Sequence, residues 1–272
     1  MYYLNKIVNL PLIKIPEINI MKAMKYKEEA DWTDEVTQRF WDNMVTEDVL
    51  YFTEAVGLGI LKLLKQKIEL KGKILDYGCG NGTMMDYLSK ENPDNEIYGL
   101  DFSQTSVETS IKKNEGNENV KKIINFSEMD KNFEDNSFDV VLLIETIEHL
   151  RTDLLTNTLS IINRLLKPGG YIVVTTPFNE DLKAHSIYCP FCDAAHHQMQ
   201  HVQSFTIDRL STILKNHNFI PKDVNNTDFS YYQDKVAYYK LHSKWWLKNK
   251  LGFSKQLPFE KKHLYGIAQK SL

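Results

Sequence analysis

Lys73-Ile74-Leu75-Asp76-Tyr77-Gly78-Cys79-Gly80-Asn81-Gly82 is the stretch whose reading decides the fold. An apolar run ends in an acid, three glycines alternate with other residues, and a helix-like segment follows from Thr83. Glycine lacks a Cβ, so the backbone can turn sharply and approach a ligand closely. The helix start beyond the turn offers free N–H groups. This is the layout of a nucleotide-type site at the first strand-to-helix switch of a parallel α/β sheet. A dinucleotide loop reads Gly-x-Gly-x-x-Gly and seats a pyrophosphate. Here the spacing is Gly-x-Gly-x-Gly, with Asp76 two residues before the first glycine. A carboxylate at that point repels a diphosphate and suits a cationic ligand.

Outward from the loop, strand and helix patterns alternate. Expected strands are 74–77, 96–101, 120–126, 139–144, 171–176, 219–224 and 263–269. Expected helices are 83–90, one opened by Ser103 as N-cap, 153–166 and 206–216. Lys167-Pro168-Gly169-Gly170 ends the third of these before strand five. Such alternation implies a mostly parallel, seven-stranded sheet with helices on both faces. Residues 1–70 read as a lead-in followed by cap helices, with 34–68 helical. The core spans 71–230, a Cys/His-containing loop 178–205 lies after strand five, 231–262 is a basic aromatic helical insertion, and 263–272 returns to the core.

The chain has 272 residues and a net charge of −3, which gives no general reason to expect nucleic-acid binding. Three cysteines do not make a disulfide framework. Pro11 and Pro16 interrupt the apolar N-terminal patches, so neither a signal peptide nor a membrane span is read, and the cytoplasm is the expected location. The sequence is silent on oligomeric state.

The loop with its preceding acid resembles motif I of the class I S-adenosylmethionine (SAM) methyltransferases, whose fold is Rossmann-like. Asp101 at the end of strand two, Asn136-Ser137-Phe138-Asp139 before strand four, and the Lys-Pro-Gly-Gly turn follow in family order. A nicotinamide-dependent dehydrogenase is the rival reading of a glycine loop. The resemblance implies that Asp76, Gly78, Cys79 and Gly80 hold SAM, that Asp101 accepts the ribose hydroxyls, and that Phe102 stacks on adenine. It places Ser127, Glu128 and Met129 near the adenine and Glu145 at the cofactor's edge.

Glu145-Thr146-Ile147-Glu148-His149 follows strand four. On a helix, positions 145, 148 and 149 would share one face. The segment looks like the Glu-x-x-Glu-His motif of the ubiquinone-biosynthesis O-methyltransferases, found also in small-RNA 3′-end 2′-O-methyltransferases. The resemblance implies a divalent metal (Mg or Zn among the candidates) on Glu145, Glu148, His149 and His201, with Glu148 and His149 catalytic. The competing reading makes His149 a packed residue or a metal-free base. Cys189-Pro190-Phe191-Cys192, followed by His197 and His201, has half the spacing of many zinc sites, so Cys189, Cys192 and His197 form a second candidate set. Residues 238–250 interleave lysines and aromatics, giving an amphipathic helix suited to a lid or to peripheral membrane contact. The expected activity is O-methylation of a small-molecule or sugar-type hydroxyl. RNA 2′-O-methylation and a non-catalytic SAM-binding regulatory subunit are the alternatives.

Overall fold

A computed structural model describes residues 25–46, 51–240, 243 and 262–272. The expected lead-in over 1–24 and most of the basic aromatic segment, including Trp245, Trp246, Lys248 and Lys250, lie outside the described residues.

In chain order the elements are β1 (Lys25–Tyr26), α1 (Asp34–Thr46), α2 (Phe52–Lys65), β2 (Lys73–Tyr77), α3 (Thr83–Glu91), β3 (Glu96–Asp101), α4 (Gln104–Lys113), β4 (Val120–Asn125) and α5 (Met129–Asn132). They continue with β5 (Phe138–Ile144), α6 (Thr152–Leu165), β6 (Leu166–Pro177), β7 (Ser186–Cys189), β8 (Ala194–His197), α7 (Ile207–Asn216), β9 (Phe219–Thr227), α8 (Phe229–Gln233) and β10 (His263–Lys270). Seven strands form one sheet in the order β4-β3-β2-β5-β6-β10-β9. The first five run parallel, and β10 is antiparallel to both β6 and β9. This is the Rossmann-like sheet expected of a class I methyltransferase.

The central strand β5 is a nearly continuous apolar run because both of its faces are covered, whereas the edge strands β4 and β9 carry exposed polar residues. Side chains alternate across a strand. In β5, Val141 and Leu143 pack beneath α6 and α7 with Leu155, Leu159 and Leu210. Val140, Leu142 and Ile144 face α2 and α3, against Ile60, Leu64 and Met85. Ser103 caps α4 by accepting the Ser106 N–H, and Thr206 caps α7 by accepting the Arg209 N–H.

The helices α1 and α2 fall within the 34–68 segment. Two expectations need correction. β6 begins at Leu166, earlier than expected, because Lys167–Gly170 is accommodated as an irregularity in the β5–β6 register, with Gly169 at φ 76°. The 178–205 segment is not simply a loop: β7 and β8 form a hairpin, and β1 adds to it in parallel as a small three-stranded sheet. Among the described residues, no helix is long and apolar enough to cross a membrane.

Candidate active site

The strand order reverses between β2 and β5, and in such sheets the ligand crevice opens at the strands' carboxyl ends there. A cavity of about 660 Å³ lies at that edge. Its floor is the loop from Asp76 to Gly80 with Asp101 and Phe102, and α1 and the start of α2 add Trp41, Met44 and Tyr51. Gly78 has φ 83°, and a Cβ there would come within 2.9 Å of the Thr146 side chain. Glycine is therefore required for the loop to pass under the β5 turn. The Gly80 N–H donates to Asp101 Oδ2 and the Ser103 N–H to Oδ1, each at 2.9 Å. Each carboxylate oxygen keeps acceptor capacity for a further donor such as a ribose hydroxyl.

Asp76 and Asp101 are both buried. Burial, then the neighbouring Asp101 charge, pushes Asp76 up to about 7. Burial raises Asp101 to about 6, against the hydrogen bonds from Ser103 and Gly80 that favour its ionised form. A cation entering beside Asp76 would reverse that penalty. Phe102 and Phe126 are partly exposed aromatics on the cavity wall. Phe126 follows directly on β4, and nothing in the sequence marks it as lining a site. Ser127, Glu128 and Met129 are not on the wall. Met129 is buried in the core, Ser127 donates its hydroxyl to Asn125, and Glu128 opens α5, so one turn of helix carries them past the cavity.

Across the cavity lies the acidic and histidine cluster. It is not carried on an α-helix. Glu145 takes φ 49°, and Ile147–His149 form a single 3₁₀ turn. That left-handed residue sends the Glu145 carboxylate to β6, where Oε1 accepts the Thr175 hydroxyl at 2.8 Å. Burial raises Glu145 to about 8. The ligand atoms that gather within 4.8 Å of one another belong to Glu148, His149 and His201. Glu145 lines the cavity but does not join this set, a departure from the expected four ligands.

Glu148 is 1% exposed, yet neither carboxylate oxygen has a hydrogen-bond partner. His149 Nε2 approaches Glu148 Oε1 at 3.8 Å and the Thr176 hydroxyl lies close by, but neither makes an aligned hydrogen bond to the carboxylate. Burial, and then the Glu145 charge, raises Glu148 well above the usual carboxylate range. His149 Nδ1 is buried and unpartnered as well, and burial, with His201 next, keeps the ring neutral. Trp41 of α1 closes edge-on over His149 at 4.7 Å and donates its indole N–H to Gln200 Oε1. Gln200 in turn donates to the His149 carbonyl, and the Val202 and Gln203 N–H groups donate to the Glu148 carbonyl. The segment after the hairpin is thus tied to the 3₁₀ turn, which brings His201 to the site from far along the chain.

Glu180 joins the cluster without belonging to any of the sequence motifs. Oε2 accepts from His201 Nδ1 at 2.5 Å, and Oε1 lies 3.3 Å from His197 Nε2. Burial works upward on Glu180, but the two histidines outweigh it and hold the carboxyl at about 2. The one available signal was its place just past strand five, where this fold puts site residues.

The expected zinc set of Cys189, Cys192 and His197 is not brought together. In the hairpin Cys189 pairs with Ala194 at the tip, while His197 pairs with Ser186 at the opposite end. Three residue steps of roughly 3.4 Å separate the two ends, too far for one ion. Cys189 and Cys192 are free thiols.

Residues 51–221 match the family described as "Methyltransferase domain", which covers more than half of the chain. The chain belongs to this family. Demethylmenaquinone methyltransferases of Staphylococcus aureus are 39% identical over 102 residues, covering 37% of this chain and 41% of theirs. The match therefore spans about two fifths of the length of those relatives. Phosphoethanolamine N-methyltransferase 2 of Haemonchus contortus, solved with S-adenosyl-L-methionine, superposes with a TM-score of 0.53 at 22% identity over 88% of this chain and 58% of that one. The [4+2]-cyclase SpnF superposes with a TM-score of 0.59 at 17% identity, over 88% and 97%. At these identities the likeness is one of fold, and a cyclase among the neighbours shows that this fold carries more than one chemistry.

Proposed function

We propose that this chain transfers a methyl group from SAM to a hydroxyl of a small acceptor, at a site where Glu148, His149 and His201 hold a divalent metal. The observation that carries the reading is the buried, unpartnered Glu148 carboxylate beside two imidazoles. Buried carboxylates are paired, protonated or coordinated to a metal, and unsatisfied ones mark a missing partner. Family membership and the Asp76–Gly80 loop support SAM as methyl donor. Asp76 would balance the cofactor's positive charge, Asp101 would take the ribose hydroxyls, and Phe102 and Phe126 would flank the base.

Displacement at a sulfonium carries its own leaving group, so the protein has to align the acceptor and remove its proton. Alignment contributes several kcal/mol in well-ordered sites. When bound, the metal would lower the acceptor hydroxyl's pKa and orient it. Without a metal the hydroxyl needs a base, and His149, held neutral by burial, is the group on the wall suited to that. Trp41, Phe52 and Leu154 give the cavity apolar walls that fit a ring bearing neighbouring hydroxyls. The partial match to demethylmenaquinone methyltransferases supports a ring acceptor.

Methyl transfer from isotopically labelled SAM to a catechol tests this. Chelator and Glu148→Gln are each expected to lower the rate at least ~100-fold, the scale of losing one well-placed catalytic group. Full activity in chelator, with no metal in the protein, would remove the metal from the account. Methylation of a small-RNA duplex in preference to the catechol would overturn the small-molecule reading.

A further inference from the structure

We infer that Glu180 and His197 are positioning residues of this acceptor site, fixing the His201 ring so that its Nε2 is the nitrogen left for Glu148 and His149. The inference rests on the reading of that cluster given above.

The Met199 and His201 backbone N–H groups both donate to His197 Nδ1, at 3.2 and 3.1 Å. A ring nitrogen that accepts carries no proton, so the proton of a neutral ring sits on Nε2. That nitrogen lies 3.3 Å from Glu180 Oε1, a close approach that falls short of an aligned hydrogen bond. The other Glu180 oxygen lies 2.5 Å from His201 Nδ1. An ionised carboxylate only accepts, so His201 Nδ1 is the donor and carries the proton. His201 Nε2 is then unprotonated. The two rings also stack, with centroids 4.2 Å apart and planes 20° from parallel, which sets the plane of His201. His149 meets the same ring at 4.8 Å.

Glu180, His197 and His201 are close enough to be considered as a metal site of their own. The tautomer argues against it. A metal-bound histidine donates its second ring N–H to a carboxylate or carbonyl. His197 accepts at its second nitrogen, so it cannot coordinate as a neutral ring. His201 does the reverse: its Nδ1–H goes to a carboxylate, the arrangement that orients a ligating imidazole and raises its basicity. The chain of contacts therefore has a direction, from His197 through Glu180 to His201 and into the cavity.

Titration of Mn²⁺ alone into wild-type protein, Glu180→Ala, Glu180→Asp and Glu148→Gln tests the assignment, together with long-range ¹⁵N–¹H spectra of the wild-type histidines. Glu180→Ala should bind Mn²⁺ about 10–100-fold more weakly, the usual loss when such an orienting carboxylate is removed. Glu180→Asp should recover part of the loss, and SAM affinity should stay within error in both. The spectra should show His201 protonated at Nδ1 and His197 at Nε2. Wild-type Mn²⁺ affinity in a folded Glu180→Ala protein would overturn the inference while leaving the metal reading intact. Equal, negligible affinity in wild type and Glu148→Gln would instead remove the metal reading. The spectra then decide the positioning claim, and His201 protonated at Nε2 would refute it whether or not the alanine variant folds.

Discussion

Asp76 and Asp101 are two acids that the protein buries before any cation reaches them. In an unfolded chain both would ionise near 3.8, whereas the fold holds their protons up to about 7 and about 6. Between those limits the folded state binds more protons than the unfolded one. Their contribution to stability is therefore present below about pH 4 and lost as pH rises through about 7. Glu145, raised to about 8, and Glu148 act in the same direction. A cationic ligand prefers the ionised acids, so its binding expels protons. The ligand-free protein should lose melting temperature from about pH 5 to 8, while SAM affinity rises over the same interval. Asp76→Asn should flatten the affinity curve. Calorimetry in buffers of different ionisation enthalpy reads the proton release, and a pH-independent affinity in wild type would contradict this picture. Both acids were legible in the sequence because each closes an apolar strand next to a loop. Glu180 was not, because its role depends on two histidines whose approach is made by a hairpin.

That hairpin shows what an element adds to its residues. The Cys-x-x-Cys and His-x-x-x-His spacings suggested one closed zinc site. Antiparallel pairing instead sends the cysteines to the tip and His197 to the base, and residue spacing alone carries no information on which way the chain folds back. The Glu145–His149 segment has a similar history. Helical spacing would put Glu145, Glu148 and His149 on one face, but the left-handed backbone at Glu145 breaks the periodicity and leaves Thr175 as its partner. The replacement Cys189→Ser/Cys192→Ser should therefore leave the metal content of the purified protein unchanged, with SAM affinity intact. Metal lost together with the two thiols, as read by elemental analysis, would return the hairpin tip to the site.

At the scale of the molecule, the alternation of apolar strands and helices made the sheet legible, because a parallel sheet covered on both faces needs continuous apolar runs. The glycine loop fixed where its crevice opens. The sequence marks cap helices before the core but not what they touch: α1 reaches the site through Trp41, whose contacts with His149 and Gln200 join parts of the chain far apart in sequence. In the proposed reading the cavity has a cofactor side built from β2 and β3 and an acceptor side built from β5, β6 and the segment after β8. The most direct test of this division is a calorimetric titration of SAM into wild-type protein and Asp101→Ala. One SAM per chain should bind the wild type. The variant should bind at least ~10-fold more weakly, since hydrogen bonds to a charged group contribute roughly 1.5–3 kcal/mol. Equal affinity for the two proteins, or no binding to the wild type, would contradict the account.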